Sequence, residues 1–466
     1  MSTFKTGVAL AAALGIFTIQ AYAEATPAEA AKLCHELTCV GAVQAGNADG
    51  TIPPWTGPVN FTEEQKHYTV EALEKLRKDH PEAIQDQLEK QAGKAVSTPE
   101  FTITKANMAK YQDHLTDGQK AMLEMYPTYH MIVYKTLRDA FYPDAIYKAT
   151  VENATRASLK GTDDVSGARL GFPFPIPKNG AEVIWNHKLA FRGTAVRRYN
   201  NQAIVKPDGS FTLTKIIEDV KFKYANIANP GDGKLFAYYL SKVVAPPRVA
   251  GQITLVHEVA EGTGRQAWIY SPGLGRVNRA PDVGYDNPAI GTDNEQYNDQ
   301  IDVFNGALDR YNWKLLGKKE IYIAYNSYLI NSQLIKYKDI LTPFHANPKY
   351  ERYELHRVWV VEATLKPGMR HNFAKRVFYV DEDSWSIAAV DCFDNRGSLW
   401  KVQESDLLEA PFIPTTTGIP QFIYDLQSHR YFATAMTNED AISNFNIKFE
   451  DSYFDPSNLK RMSRNN

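Results

Sequence analysis

The pattern of apolar and polar positions changes character twice along the chain. It opens on Lys5 and an apolar run over 7–19, which ends at Ala21-Tyr22-Ala23 with Glu24 next. A basic start, a short apolar run and a small-x-small site are the parts of a secretory signal. The run is shorter than the ~20 residues that span a bilayer as a helix. Residues 1–23 are therefore expected to be a signal peptide cleaved after Ala23, which would place the mature chain in the periplasm. No cysteine follows the run, so it is not a lipoprotein signal. No later stretch is apolar for long enough to cross a membrane as a helix.

Beyond it, 26–58 is polar and irregular. Gly46-Asn47-Ala48-Asp49-Gly50-Thr51-Ile52-Pro53-Pro54-Trp55 is dense in turn residues. Helical composition predicts helices over 63–91 (broken at Pro81), 104–125 and 145–157. From Arg169 the texture turns to strands. Phe172-Pro173-Phe174-Pro175-Ile176-Pro177 fits neither a regular helix nor a central strand, because proline lacks the N–H donor. Strands are predicted at 181–190, 194–199, 211–216, 221–224, 252–259, 265–270, 320–325, 350–365 and 374–380. Many alternate with period two, as a sheet with one buried face does. Residues 265–270, a turn at Ser271-Pro272-Gly273-Leu274-Gly275 and an extended 276–279 form a hairpin. Residues 375–380, an acidic turn at Asp381-Glu382-Asp383-Ser384, a strand at 385–393, a turn at Asp394-Asn395-Arg396-Gly397 and a strand at 398–402 form a three-stranded antiparallel meander. A polar, strand-poor stretch near 280–306 reads as a long loop. The organisation expected is an irregular and helical N-terminal extension over 24–165, then an antiparallel β region over 166–466.

Composition narrows the function. Formal net charge is -2, which predicts no strong attraction to nucleic acid or anionic lipid. The chain holds 26 Tyr, 22 Phe and 7 Trp. Aromatic side chains favour strands and also line apolar ligand sites. Trp185, Phe191, Trp268, Tyr270, Trp359, Phe378 and Trp385 fall in predicted strands and are the cavity candidates; ordinary core packing is the competing reading of each. Cys34 and Cys39 read as a local disulfide in an oxidising compartment. The alternative, a metal or redox site with His35, lacks the further ligands that a tetrahedral centre needs. Cys392 reads as a buried small hydrophobe.

Catalytic signals are absent. There is no Gly-x-Ser-x-Gly elbow, His-Glu-x-x-His or P-loop. His187 and His356 read as hydrogen-bonded strand histidines, with general-base catalysis as the alternative. Asp381-Glu382-Asp383 reads as a solvated acidic turn, with a Ca²⁺ site as the alternative; Asp282, Asp286 and Asp293 carry the same ambiguity. No enzyme activity, metal or cofactor is expected.

Several stretches resemble one proteobacterial periplasmic family, whose domain has no assigned function and whose members are labelled outer-membrane lipoprotein-sorting proteins. They are Gly46 to Pro53 with Trp55, Leu115 to Pro127, Pro173 to Gly180 through Trp185-Asn186-His187 to Arg192-Gly193, Arg265 to Asn278, and Asp381 to Gly397. Through its β region the family resembles the LolA/LolB lipoprotein carriers. The resemblance implies an α+β fold, mainly antiparallel: an open half-barrel sheet with helices on its concave face and an apolar cavity between them. It also implies a monomeric carrier of a hydrophobic molecule or lipid, working with a resistance-nodulation-division permease and an outer-membrane companion. The chain is far longer than a minimal carrier, so the cargo need not be a lipoprotein. A structural adaptor, or an enzyme acting on an envelope lipid, are the rival readings.

Overall fold

The computed structural model describes residues 25–57, 70–79, 98–231, 234–260, 265–280, 285–410 and 412–464. The expected signal peptide lies outside these residues, as does most of the helix expected over 63–91. Four helices of nine or more residues are described: α1 (Val70–Asp79), α2 (Asp117–Met125), α3 (Asp144–Asn153) and α4 (Gly180–Lys188). Two short hairpin strands, β3 (Ser158–Lys160) and β4 (Asp164–Ser166), stand apart from the main sheet.

The main sheet has 16 strands. In chain order they are β1 (Pro99–Ile103), β2 (Met131–Tyr134), β5 (Ala195–Tyr199), β6 (Asn201–Val205), β7 (Phe211–Phe222), β8 (Leu235–Ala245), β9 (Ile253–Val259), β10 (Gln266–Ser271) and β11 (Arg276–Arg279). They continue with β12 (Tyr311–Ala324), β13 (Tyr353–Leu365), β14 (Lys375–Asp381), β15 (Ile387–Phe393), β16 (Leu399–Ala410), β17 (Thr415–Asp425) and β18 (Arg430–Met436). The spatial order is β1-β2-β13-β14-β15-β16-β17-β18-β6-β7-β8-β9-β10-β11, with β12 on β13 and β5 on β7. Every pairing is antiparallel except the single parallel bridge of β2 to β13. The sheet does not close, so the fold is an open α+β half-barrel.

The meander and the β10–β11 hairpin form as their alternation and turns predict. Three expectations change. The predicted strand over 181–190 is α4. Asn179 caps it, its side-chain oxygen accepting from the Glu182 N–H at 3.1 Å, and Glu182 returns to the Lys178 N–H at 2.6 Å. Residues 180–187 are all buried, so no polar face marks the helical period. Gly180 is required there: a Cβ would meet Val361 at 2.6 Å. The helix predicted over 104–125 is two 3₁₀ turns and then α2, after β1 has ended at Ile103. Asn107 takes the Thr104 N–H at 2.7 Å and donates to the Thr102 carbonyl at 2.9 Å, diverting the backbone from a helix. The capping box of Thr116 and Gln119 starts α2 late. Finally, 211–216 and 221–222 are parts of one long strand, β7, and 223–224 lie beyond its end.

Helices cover both faces. α4 lies on β12 and β13, in a core with Val361, Phe378, Val390 and Cys392. α2 packs on the opposite face, where Asp391 accepts from the Asp117 and Gly118 N–H groups at 3.1 and 2.9 Å. The C-terminal segment covers that same opposite face farther along, with Phe449, Phe454 and Leu459 against Leu240, Ile253 and Leu255.

Candidate functional site

The face that α4 covers at one end is open at the other. There the inward positions of β7, β8 and β9 line a cavity of about 460 Å³. Period two decides which residues these are. Ile216, Glu218, Val220 and Phe222 point in from β7; Ala237, Tyr239, Ser241 and Val243 from β8; Thr254, Val256 and Glu258 from β9. The large apolar neighbours Leu240, Ile253 and Leu255 point the other way, under the C-terminal segment. The cavity is thus floored by small, apolar and a few charged side chains. Its volume lies within the range of ligand sites, roughly 300–1,000 Å³.

The long loop forms the roof: Pro288, Ile290, Ile301 and Asp302 line the cavity. Buried polar contacts tie this loop to the meander. Asp299 pairs with Arg376 at 2.7 Å and His371 at 2.9 Å, and Gln300 donates to Gln403 at 2.7 Å. Burial alone would raise the Asp299 carboxyl, but Arg376 and His371 outweigh it and hold it far below the usual range. Arg376 itself sits between the rings of Phe304 and Tyr311. The end wall comes from Lys188, the last residue of α4, and Arg192 just after it.

None of the seven aromatic cavity candidates lines this cavity. Trp185 is in α4, buried, with its indole N–H donating to the Thr162 carbonyl at 2.8 Å. Phe191 lies in the coil after α4, and Trp385 in the turn before β15, where its N–H donates to the Val40 carbonyl at 2.9 Å. So three of the seven are not in strands. Trp359 stacks on Trp385 at 6.0 Å, and Phe378 packs on Phe304 at 5.4 Å; both belong to the core around α4. Trp268 and Tyr270 pack on the opposite face, with the C-terminal segment. The aromatics that do line the cavity, Phe222, Phe236 and Tyr239, are not among those seven. The signal for it was the charged residues set among small and apolar ones at alternate positions of β7 to β9.

Cys34 and Cys39 are joined in a disulfide, and Cys392 is buried and free. The acidic turn is not solvated: Asp381, Glu382 and Asp383 are all buried. Arg138 holds Asp383 through two bonds of 2.8 and 2.7 Å and also donates to the Val43, Gln44 and Pro53 carbonyls. Glu382 pairs with Lys318 at 2.6 Å and Arg357 at 2.9 Å. His356, Asp381 and Asp383 each place a ligand atom within 4.8 Å of the others, a spacing that suits a metal ion. But Arg138 takes both Asp383 oxygens and Ser384 takes one oxygen of Asp381. The residues fit an ion-pair network that pins the N-terminal segment to the meander better than they fit a cation. His356 stacks on Tyr325 at 4.0 Å and bonds Glu354 at 3.2 Å.

His187 offers no general base. One ring nitrogen faces the Asp302 carbonyl at 3.0 Å, and the other accepts from the Ile387 N–H at 3.3 Å. Burial lowers it to about 4, so it is a neutral, fully engaged imidazole. A cluster of buried carboxyls, Glu351, Glu404 and Asp406, lies with Tyr129 and Tyr353 on the α2 side of the sheet, away from the cavity.

The fold and cavity together define an α+β half-barrel with one roofed cavity described. Residues 102–460 match the model of a protein family of unknown function, DUF1329, and the chain belongs to that family. It is 41% identical over 457 residues to the uncharacterized protein PA3922 of Pseudomonas aeruginosa, covering 96% of both chains. Among solved structures, it is similar to a DUF1329 family protein from Desulfovibrio piger, at 17% identity and TM-score 0.43. That match covers 60% of this chain and 97% of the other. It is also similar to the LolA superfamily protein NE2245 from Nitrosomonas europaea, at 12% identity and TM-score 0.37, over 60% and 98% of the two chains.

Proposed function

We propose that this protein is a periplasmic carrier that holds one hydrophobic molecule, a lipid or another apolar compound, in the cavity under the long loop. Its exchange partners in this reading are an inner-membrane permease of the resistance-nodulation-division type and an outer-membrane protein. The observation that carries the reading is the cavity itself: about 460 Å³, floored by strand positions and roofed by a loop held through buried ion pairs. Burying apolar ligand surface there contributes ~25 cal/mol per Å². No described helix is long and apolar enough to cross a membrane, which fits a protein that meets membranes through partners.

Native mass spectrometry with lipid extraction, on protein purified gently from periplasm, tests this. A co-purifying hydrophobic molecule, or its uptake by delipidated protein, is the expected result. A clean apo mass with no later uptake favours an adaptor that docks two envelope proteins.

A further inference from the structure

The cavity wall is not uniformly apolar, and its charges do not cancel. Five cationic side chains and three carboxylates line it. Each carboxylate has an arginine: Arg198 pairs with Glu218 at 2.8 Å, Arg265 with Glu258 at 2.8 Å, and Arg192 with Asp302 at 3.0 Å. Arg279 is exposed at the sheet edge, over the Trp268 ring. That leaves Lys188 as the interior cation with no carboxylate in ion-pair range among the described residues. Its ammonium donates to the Gly306 carbonyl at 2.7 Å and lies 4.6 Å from the centroid of the Trp185 ring. An ammonium has three donors, so that single bond leaves capacity for a ligand.

The surroundings keep Lys188 a cation without neutralising it. It ends α4, where the helix dipole favours positive charge, and the Trp185 ring adds a cation–π contact. Burial lowers it to about 8; Glu258 and Asp163 pull it back up, and Arg265 opposes them. Phe222 and Phe236 line the cavity at this same end of β7 and β8. The floor then runs along β7 from Phe222 to Ile216, roughly 20 Å at strand rise. A half-buried charge at one end of a floor whose apolar residues, Ile216, Val220 and Phe222, flank the ion-paired Glu218 is the complement of an amphiphile.

We propose that Lys188 is a head-group subsite, and that the cargo is an amphiphile with one anionic head, a carboxylate or a phosphate monoester, whose chain lies along β7 to β9. This rests on the carrier reading and names its cargo class.

The test uses delipidated full-length protein and three probes that share one C18 chain: oleate, oleyl phosphate and oleyl alcohol. Affinities are read by displacement of an uncharged apolar dye. At least one anion is expected to bind about tenfold or more tighter than the alcohol, and the tighter anion identifies the head. Lys188→Met is expected to bring the anions to the level of the alcohol and leave the alcohol unchanged, while Lys188→Arg keeps the preference. Equal binding of acid, phosphate and alcohol by the unaltered protein overturns the head-group subsite and leaves the carrier reading standing. So does an anion preference that survives in Lys188→Met. Failure of all three probes and the dye to bind overturns the carrier reading, and this inference with it.

Discussion

One face of the sheet is treated in two ways. Over β12 to β15 it is filled: α4 inserts Val183, Ile184 and Trp185 against Val361, Phe378 and Val390. Over β7 to β9 it is empty, and a loop spans the gap. The filled half carries large aromatics. The open half presents Ala237, Ser241 and Thr254 beside Phe222, Phe236 and Tyr239, with charged residues set among them. Protein interiors are close-packed with few voids larger than a water molecule, so a space of this size under a bridging loop is a feature of the fold. Aromatic side chains therefore occur in both halves, and charged residues set among small and apolar positions mark the site.

The sharpest way to separate the halves is to cut into the filled one. Trp185→Ala is expected to cost about 3–5 kcal/mol of stability through the cavity it leaves, read in denaturant melts. Next comes the roof. Asp299→Asn strips the counter-charge from the buried guanidinium of Arg376 and is expected to cost about 3 kcal/mol. It should also speed ligand release, measured by dye dissociation. A melt indistinguishable from the unaltered protein would show that the loop is not held there.

A third effect is pH-dependent. Burial raises the Glu182 carboxyl in α4 from 4.5 to about 7, against the opposing hydrogen bonds of Lys178 and Asn179. A carboxyl raised in the folded state contributes stability that is fully present below its unfolded value and is lost as pH rises through the folded one. Native stability should therefore decline between pH 4.5 and 7 on account of Glu182. Glu182→Gln should remove about 3 kcal/mol of that decline, seen in melts across the range. The smallest stability effect belongs to the open half. Thr254→Trp fills the cavity from β9, so it should change stability by less than about 1 kcal/mol while lowering dye affinity tenfold or more. Lost stability with intact binding would place the ligand elsewhere.

The same contrast explains what was legible in the sequence. The meander, the β10–β11 hairpin and α3 follow from alternation, turn residues and helical composition. α4 was hidden because it is buried on all sides and its Ala181, Val183 and Trp185 mimic a strand's alternation. β17 was hidden by Gly418 and Pro420, which the sheet tolerates because the register shifts between Ser405 and Leu407 opposite them. Burial of the Asp381 turn depends on Arg138 and Lys318, far away in sequence, so its charges alone read as solvated. The cavity residues carried a signal, charged positions among small and apolar ones on alternate residues of β7 to β9.

The measurement that tests the account most directly is photocrosslinking with a diazirine-bearing fatty acid, followed by peptide mapping. Adducts are expected on β7 to β9, at positions such as Val220, Thr254 and Val256, and on the roof near Ile290 and Ile301. Adducts confined to the opposite face, around Trp268 and the C-terminal segment, or no saturable labelling at all, would contradict it.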